Sequence, residues 1–219
     1  MEIAILVLLI IFTFLLVKRS DLRNQMVFGG IMTIPLLFYK PIISSTSWYS
    51  AFADLGFVFW LERLVFGFAF GAIAAALYEA VFKQRFTTMP RDKRSHLSWL
   101  LIGPAALLIT NLGFEQSFIL SLILGLAIDA LILIIIRPDL TWDALFSAIA
   151  MGSLYLLMFF LLFRGIPGDV KHFWFANQLT GINILGIPIE ELVAVALFGG
   201  LWGPLYVALK SFREVDTEK

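Results

Sequence analysis

The chain has 219 residues, 60% hydrophobic and 15% charged, with a mean hydropathy of +0.92. Soluble chains carry about 25% charged residues, so sixteen basic and sixteen acidic side chains cannot coat a water-facing globule this apolar, and most of the chain must be solvated by lipid. The zero net charge argues against nucleic acid as a partner, and the absence of cysteine excludes disulfides, thiolate nucleophiles, iron–sulfur clusters and cysteine zinc sites.

Apolar runs close to the ~20 residues that cross a bilayer predict seven helices. The first covers 3–17 and is followed by Lys18-Arg19, with no positive segment before it. That order describes a first transmembrane helix rather than a cleaved signal. The second covers 26–43, and the third, 55–82, is long enough to tilt. A short fourth run over 97–112 carries Gly103-Pro104. The fifth and sixth cover 117–136 and 144–163, and the seventh, 184–210, is again long. The runs are continuous and lack the alternation of ~10-residue barrel strands. The predicted fold class is an all-α membrane protein.

Twelve Lys and Arg residues fall after helices one, three and five and in the tail, against Lys40, Arg164 and Lys171 on the opposite side. The positive-inside rule then places the N-terminus outside and the C-terminus in the cytoplasm, most naturally in the cell membrane. The sequence also repeats. Leu61-Glu62-Arg63-Leu64-Val65 aligns with Ile189-Glu190-Glu191-Leu192-Val193, and the same register pairs Phe70-Gly71 with Phe198-Gly199 and Leu77-Tyr78 with Leu205-Tyr206. Lys18-Arg19-Ser20-Asp21-Leu22 likewise resembles Ile136-Arg137-Pro138-Asp139-Leu140. The chain thus divides into a three-helix unit over 1–83, a basic loop and linking helix over 84–115, a second three-helix unit over 116–210, and a tail over 211–219. One linking helix leaves the two copies in the same orientation, related by an axis along the membrane normal.

Ionisable groups inside lipid cost roughly 2.5–3.5 kcal/mol each even on a lenient scale, so each needs a reason. Glu79 sits one turn before Lys83, where a snorkelling pair would explain it. Asp129 lies about two turns inside helix five with no partner identifiable from sequence. Glu190 and Glu191 follow Pro188, which suits a first helical turn. Acidic residues at a helix N-terminus need only the helix dipole as explanation. However, the apolar stretch Ile182 to Ile189 pushes both below the interface, and Glu62 recurs at the matching position of the first copy. Arg63 stands where the second copy has Glu191, compatible with an interhelical ion pair or an electrostatic role in a pocket. Gly67-Gly71-Ala75 and Gly199-Gly203 have the spacing of closely packed helices. Neither histidine has a second ligand at metal spacing, and no GxGxxG follows a strand, so neither a metal nor a nucleotide cofactor is expected.

The segment with Trp174, Asn177, Gly181 and Gly186 leading into Pro188-Ile189-Glu190-Glu191 resembles the lycopene cyclase domain, an integral-membrane, flavin-independent carotenoid cyclase family. That family has two three-helix units, each with a P-x-E-E/D-type motif, and its fused forms add one linking helix. The resemblance covers nearly the whole chain in architecture, and in motif it is strong over about residues 174–206. The first unit departs from the motif, with Trp60-Leu61-Glu62-Arg63 in place of proline and a second acid. The resemblance implies cyclisation of the linear ends of lycopene to β-ionone rings without net redox change or cofactor. A carboxyl group in an apolar site can hold a proton near neutrality and deliver it to an alkene, and a neighbouring carboxylate can stabilise the resulting cation. On this reading Glu190 or Glu191 is the acid and Glu62 the base or cation stabiliser. Arg63, Asp129, Trp174, Asn177 and Pro188 complete the set as substrate-binding or electrostatic residues. The expected partners are the bilayer, a carotenoid or other isoprenoid, and either further copies of the chain or a carotenoid enzyme.

Two other classes compete. The departure in the first unit favours a non-catalytic seven-helix isoprenoid binder or a cyclase subunit. Scattered membrane carboxylates and a repeat also allow a solute or ion transporter. A retinal Schiff base is disfavoured, because the only lysine of helix seven is Lys210 at its end.

Overall fold

The structure, a computed structural model, describes residues 2–43, 57–82, 85–88, 97–164, 179–210 and 212–215. These are nearly all helical. The helices are α1 (Glu2–Lys18), α2 (Arg23–Ile43), α3 (Phe57–Phe82), α4 (Ile102–Leu108), α5 (Phe118–Ile136), α6 (Thr141–Arg164) and α7 (Ile189–Lys210). A 3-10 turn (Leu97–Leu101) precedes α4 and a π turn (Ile109–Gly113) extends it. Among the described residues, four stretches are long and apolar enough to cross a membrane, in α3, α5, α6 and α7. Large apolar side chains such as Ile10, Phe14, Leu131, Ile135 and Ile149 lie on the outside. Water would not tolerate that surface, whereas lipid tails do, and the protein is a membrane protein.

The core forms where α3 and α7 meet. Each buries 61% of its spanning window, against 39% for α5 and 33% for α6. Helix α3 packs on α1, α2, α6 and α7, and α7 packs on α2, α3, α5 and α6. Helix α4 packs on α5. Small residues set these distances. A Cβ on Gly71 would run into Thr33 and the Gly29 carbonyl, and one on Gly199 would lie 2.6 Å from both the Met151 Cβ and the Ser147 carbonyl. The α2–α3 and α6–α7 backbones therefore approach as close-packed membrane helices do.

The turns after α1 and α5 share a chemistry. Arg19 pairs with Asp21 at 2.9 Å across the 3-10 turn that follows α1, and Arg137 pairs with Asp139 at 2.8 Å across the one that follows α5. Each ion pair lets the chain reverse within a few residues. Arg19 also donates to the carbonyls of Glu79 and Ala80, which fastens this turn to the C-terminal end of α3.

Two short ribbons were not anticipated from the helical pattern. β1 (Arg85–Thr88) pairs antiparallel with β4 (Phe212–Val215), with Phe86 opposite Glu214. β2 (Asn183–Ile184) pairs with β3 (Ile187–Pro188) in a two-residue hairpin. Leu185 and Gly186 both have positive φ, at 53° and 87°, as a type I′ turn requires. The predicted start of helix seven at 184 is therefore corrected to Ile189. The apolar composition of 184–188 suited a helix, but the paired left-handed residues 185 and 186 reverse the chain there instead.

Candidate active site

The hairpin delivers the chain directly into α7. The Ile189 N–H donates to the Ile182 carbonyl at 3.0 Å, folding the segment back across the start of the helix. Pro188 is buried on the second strand, opposite Asn183. It lacks an N–H, which ends the ladder and leaves one donor fewer to satisfy at the helix entrance. Glu190 and Glu191 then occupy the first turn, both only 4% exposed. Acceptor oxygens there face the positive end of the helix dipole and the first-turn N–H groups that have no partner within the helix.

Neighbouring helical residues point about 100° apart, and the two carboxylates accordingly meet different partners. Glu190 Oε1 accepts the Thr180 N–H at 2.5 Å. Its other oxygen, Oε2, is buried with no hydrogen-bond partner among the described residues. Glu191 turns towards α6, where its Oε2 accepts the hydroxyl of Tyr155. Tyr155 is buried, and its ring packs against Phe159 at 4.3 Å. One glutamate thus keeps a free oxygen while its neighbour is held by a phenol.

Further along the α3–α7 interface runs an aromatic stack. Phe66 stacks on Phe70 at 5.6 Å, Phe70 on Phe198 at 5.5 Å, and Phe198 on Trp202 at 4.4 Å. The Trp202 indole is fixed by donation to the Gly29 carbonyl at 3.1 Å. Such a wall of π faces is apolar and attracts cations. Glu62 and Arg63 stand near the N-terminal end of α3, both partly buried. Arg63 precedes Phe70 by seven residues, as Glu191 precedes Phe198, so each shares a helical face with one ring of the stack.

The other predicted residues fall elsewhere. Asp129 is 4% exposed, and its Oδ1 accepts the Gly103 N–H at 2.8 Å, at the junction between the 3-10 turn and α4. This is the partner that sequence could not identify, and it ties Asp129 to the linking helix. Glu79 is fully buried, not snorkelled, and its Oε1 accepts from Gln25 at 2.7 Å. Trp174 and Asn177 lie outside the described residues, as does Lys83.

Sequence reasoning missed Tyr155, Thr180, Gln25 and Asp143. A tyrosine inside the apolar run of α6 was a usable signal, since a buried phenol seeks a partner. Gln25 and Asp143, both buried, follow the two Arg-x-Asp-Leu turns at equal distance. They were overlooked because α2 and α6 begin at Arg23 and Thr141, about one turn earlier than predicted.

The fold and this cluster define a class: an all-helical membrane protein with paired buried carboxyl groups at the entrance of a central helix. Residues 116–209, which hold α5, α6, the hairpin and α7, match the family model described as lycopene cyclase. The match includes Tyr155, Glu190 and Glu191 and supports a carotenoid cyclase-like role. No curated protein and no solved structure matches the chain.

Proposed function

We propose that the protein is a carotenoid cyclase that closes β-ionone rings on the linear ends of a lycopene-like substrate by proton transfer without net redox change. The observation that carries this reading is the unequal pair at the start of α7. Both carboxyl groups accept a hydrogen bond, Glu190 from the Thr180 N–H and Glu191 from the Tyr155 hydroxyl. The second oxygen of Glu190, however, is buried with no hydrogen-bond partner among the described residues, which suits it to hold and donate a proton and leaves the ionised role to Glu191. Glu190 protonates the terminal alkene. The neighbouring alkene attacks the cation and closes the ring, and a proton then leaves the ring cation. Glu62, with the aromatic stack, stabilises the cation from α3. Arg63 balances charge at the same depth. No cofactor takes part.

The architecture proposed with it is a pair of parallel three-helix copies about α4, with the N-terminus outside and the C-terminus in the cytoplasm of a cell membrane. Several contacts support the copies. The Arg19–Asp21 and Arg137–Asp139 turns correspond, and the contacts of Gly71 with Thr33 and Gly29 recur as those of Gly199 with Met151 and Ser147. Phe70 stacks on its own counterpart Phe198, and Phe86 in β1 sits opposite its counterpart Glu214 in β4. Residues that meet their own counterparts lie on a two-fold axis. The proposed ligand is a carotenoid or related isoprenoid within the bilayer, and other copies or a carotenoid enzyme are the proposed protein partners.

The test is expression in a host that accumulates lycopene, followed by pigment analysis. Cyclic products are expected. Unchanged lycopene, with the protein confirmed in the membrane, would overturn the reading. Replacement of the second acid of the first copy by Arg63 favours one alternative, an isoprenoid-binding subunit, which would appear as co-purified pigment without turnover.

A further inference from the structure

We infer that the hairpin before α7 is a membrane-contacting gateway: its apolar tip, at Ile184 and Leu185, lies in the bilayer interface and admits the linear end of a lipid-dissolved isoprenoid to the carboxyl pair. The admission step rests on the cyclase reading above, whereas the lipid contact does not. The hairpin is apolar on both of its faces. Ile187 and Pro188 on the second strand are buried, and Ile187 belongs to the core cluster. Ile182, Ile184 and Leu185, before and at the turn, are 57%, 41% and 57% exposed. A hairpin with one face on a core and the other in water alternates apolar with polar residues. Here the only polar side chain between Ile182 and Pro188 is that of Asn183, which donates to the Gly181 carbonyl at 3.3 Å. No Asp, Glu, Lys or Arg stands between Lys171 and Glu190. Leu185 sharpens the point, since it holds a φ of 53° that Asn or Gly would adopt at lower cost. An outward leucine gains nothing from water in that position, whereas an apolar solvent stabilises its side chain.

The depth agrees. The spanning stretch of α7 has 22 residues and ends at Lys210. At 1.5 Å per residue it is about 33 Å long, enough to fill a hydrocarbon core of about 30 Å. Even fully extended, the chain from Leu185 to Ile189 reaches at most about 13 Å beyond it, which keeps the tip at the membrane surface. The lipid-facing surface reaches this end of α7 at Val193, which is exposed. The same segment leads to the carboxyl pair. Its base is closed by the Ile189 N–H on the Ile182 carbonyl at 3.0 Å, and Thr180, just before it, donates its N–H to Glu190 Oε1. A substrate dissolved in lipid reaches a buried acid sideways, through an apolar opening, and this segment meets lipid at its tip and Glu190 at its base.

The experiment uses the full chain in phosphatidylcholine vesicles, with an environment-sensitive fluorophore attached through Leu185→Cys. The same fluorophore attached through Glu115→Cys, at an exposed charged residue before α5, is the control. Two quenchers are compared: a lipid with a nitroxide near the headgroup end of its acyl chain, and iodide on both sides of the membrane. The label at position 185 is expected to be quenched several-fold more by the nitroxide lipid than the control, and several-fold less by iodide. Iodide quenching as strong as in the control places the tip in water. Protection from both quenchers places it against protein, a second copy included, and either result overturns the inference. Ile184→Cys gives the same reading where Leu185→Cys does not fold. Admission is tested by Leu185→Asn, which relieves the backbone strain and removes the apolar tip. With lycopene in the vesicles, its KM, as a mole fraction in lipid, is expected to rise several-fold at unchanged kcat, and Leu185→Met is expected to restore it. An unchanged KM, or a fall in kcat alone, overturns admission and leaves the cyclase reading intact. Absence of rings from wild type overturns the cyclase reading and admission together, while the quenching still decides the lipid contact.

Discussion

Glu190 and Glu191 are chemically identical neighbours that the fold makes different. Helical geometry turns one towards the Thr180 loop and the other towards Tyr155. Glu190→Gln keeps the shape and the acceptor for Thr180 but removes the transferable proton, so ring formation is expected to fall by at least about 100-fold, measured by pigment analysis at matched protein level. Asp129 provides the contrast. Its bond to the Gly103 N–H needs only an acceptor, so Asp129→Asn is expected to leave ring formation within about twofold of wild type. Asp129→Leu strands that N–H and costs about 1–3 kcal/mol of stability in detergent. Loss of activity in Asp129→Asn would instead give this carboxylate a part in the chemistry. Sequence alone showed that these carboxylates were costly in lipid. It could not show their partners, because Thr180, Tyr155 and Gly103 come from other parts of the chain.

At the scale of elements, the hairpin and the glycine contacts decide how the helices present their residues. Leu185 holds a left-handed conformation that a branched apolar residue adopts only at a cost of about 1–2 kcal/mol. Leu185→Asn would create the Asn-Gly pair preferred in a type I′ turn, and is expected to raise thermal stability in detergent by about 1 kcal/mol. Gly199→Val would force α7 away from α6 and is expected to destabilise by about 1–3 kcal/mol, because a Cβ there already meets Met151 and Ser147. Gly113→Ala is the control, since its Cβ would meet nothing within 4 Å. The helices were legible as continuous apolar runs, and the small-residue spacing marked the faces that pack. The hairpin was not legible, since Ile182 to Pro188 is apolar enough to pass for helix and only the backbone angles at 185 and 186 distinguish the two.

At the scale of the molecule, the β1–β4 ribbon joins the chain just after α3 to the chain just after α7. A disulfide between Phe86→Cys and Glu214→Cys is expected to form under mild oxidation and to appear as a faster-migrating band that reducing agent removes. No such band should appear for either single variant. The natural absence of cysteine also makes the proposed orientation directly measurable. A cysteine placed at Thr217 should react with a membrane-impermeant thiol reagent only after the cells are opened, and one placed at Ser47 should react in intact cells. The reverse pattern would invert the proposed topology.

Composition alone determined that lipid is the solvent, because 15% charged residues cannot cover a soluble surface. Continuous apolar runs marked the helices, and the Pro188-Ile189-Glu190-Glu191 motif pointed to the family that residues 116–209 match. These are local or averaged properties, readable without knowing which residues meet in space. Only the tertiary structure decided which carboxyl group meets Thr180, which is held by Tyr155, and that Asp129 bonds to the linking helix. Those outcomes depend on contacts between residues far apart in sequence. In a membrane interior, where water cannot substitute for a missing partner, such contacts fix what each buried acid can do.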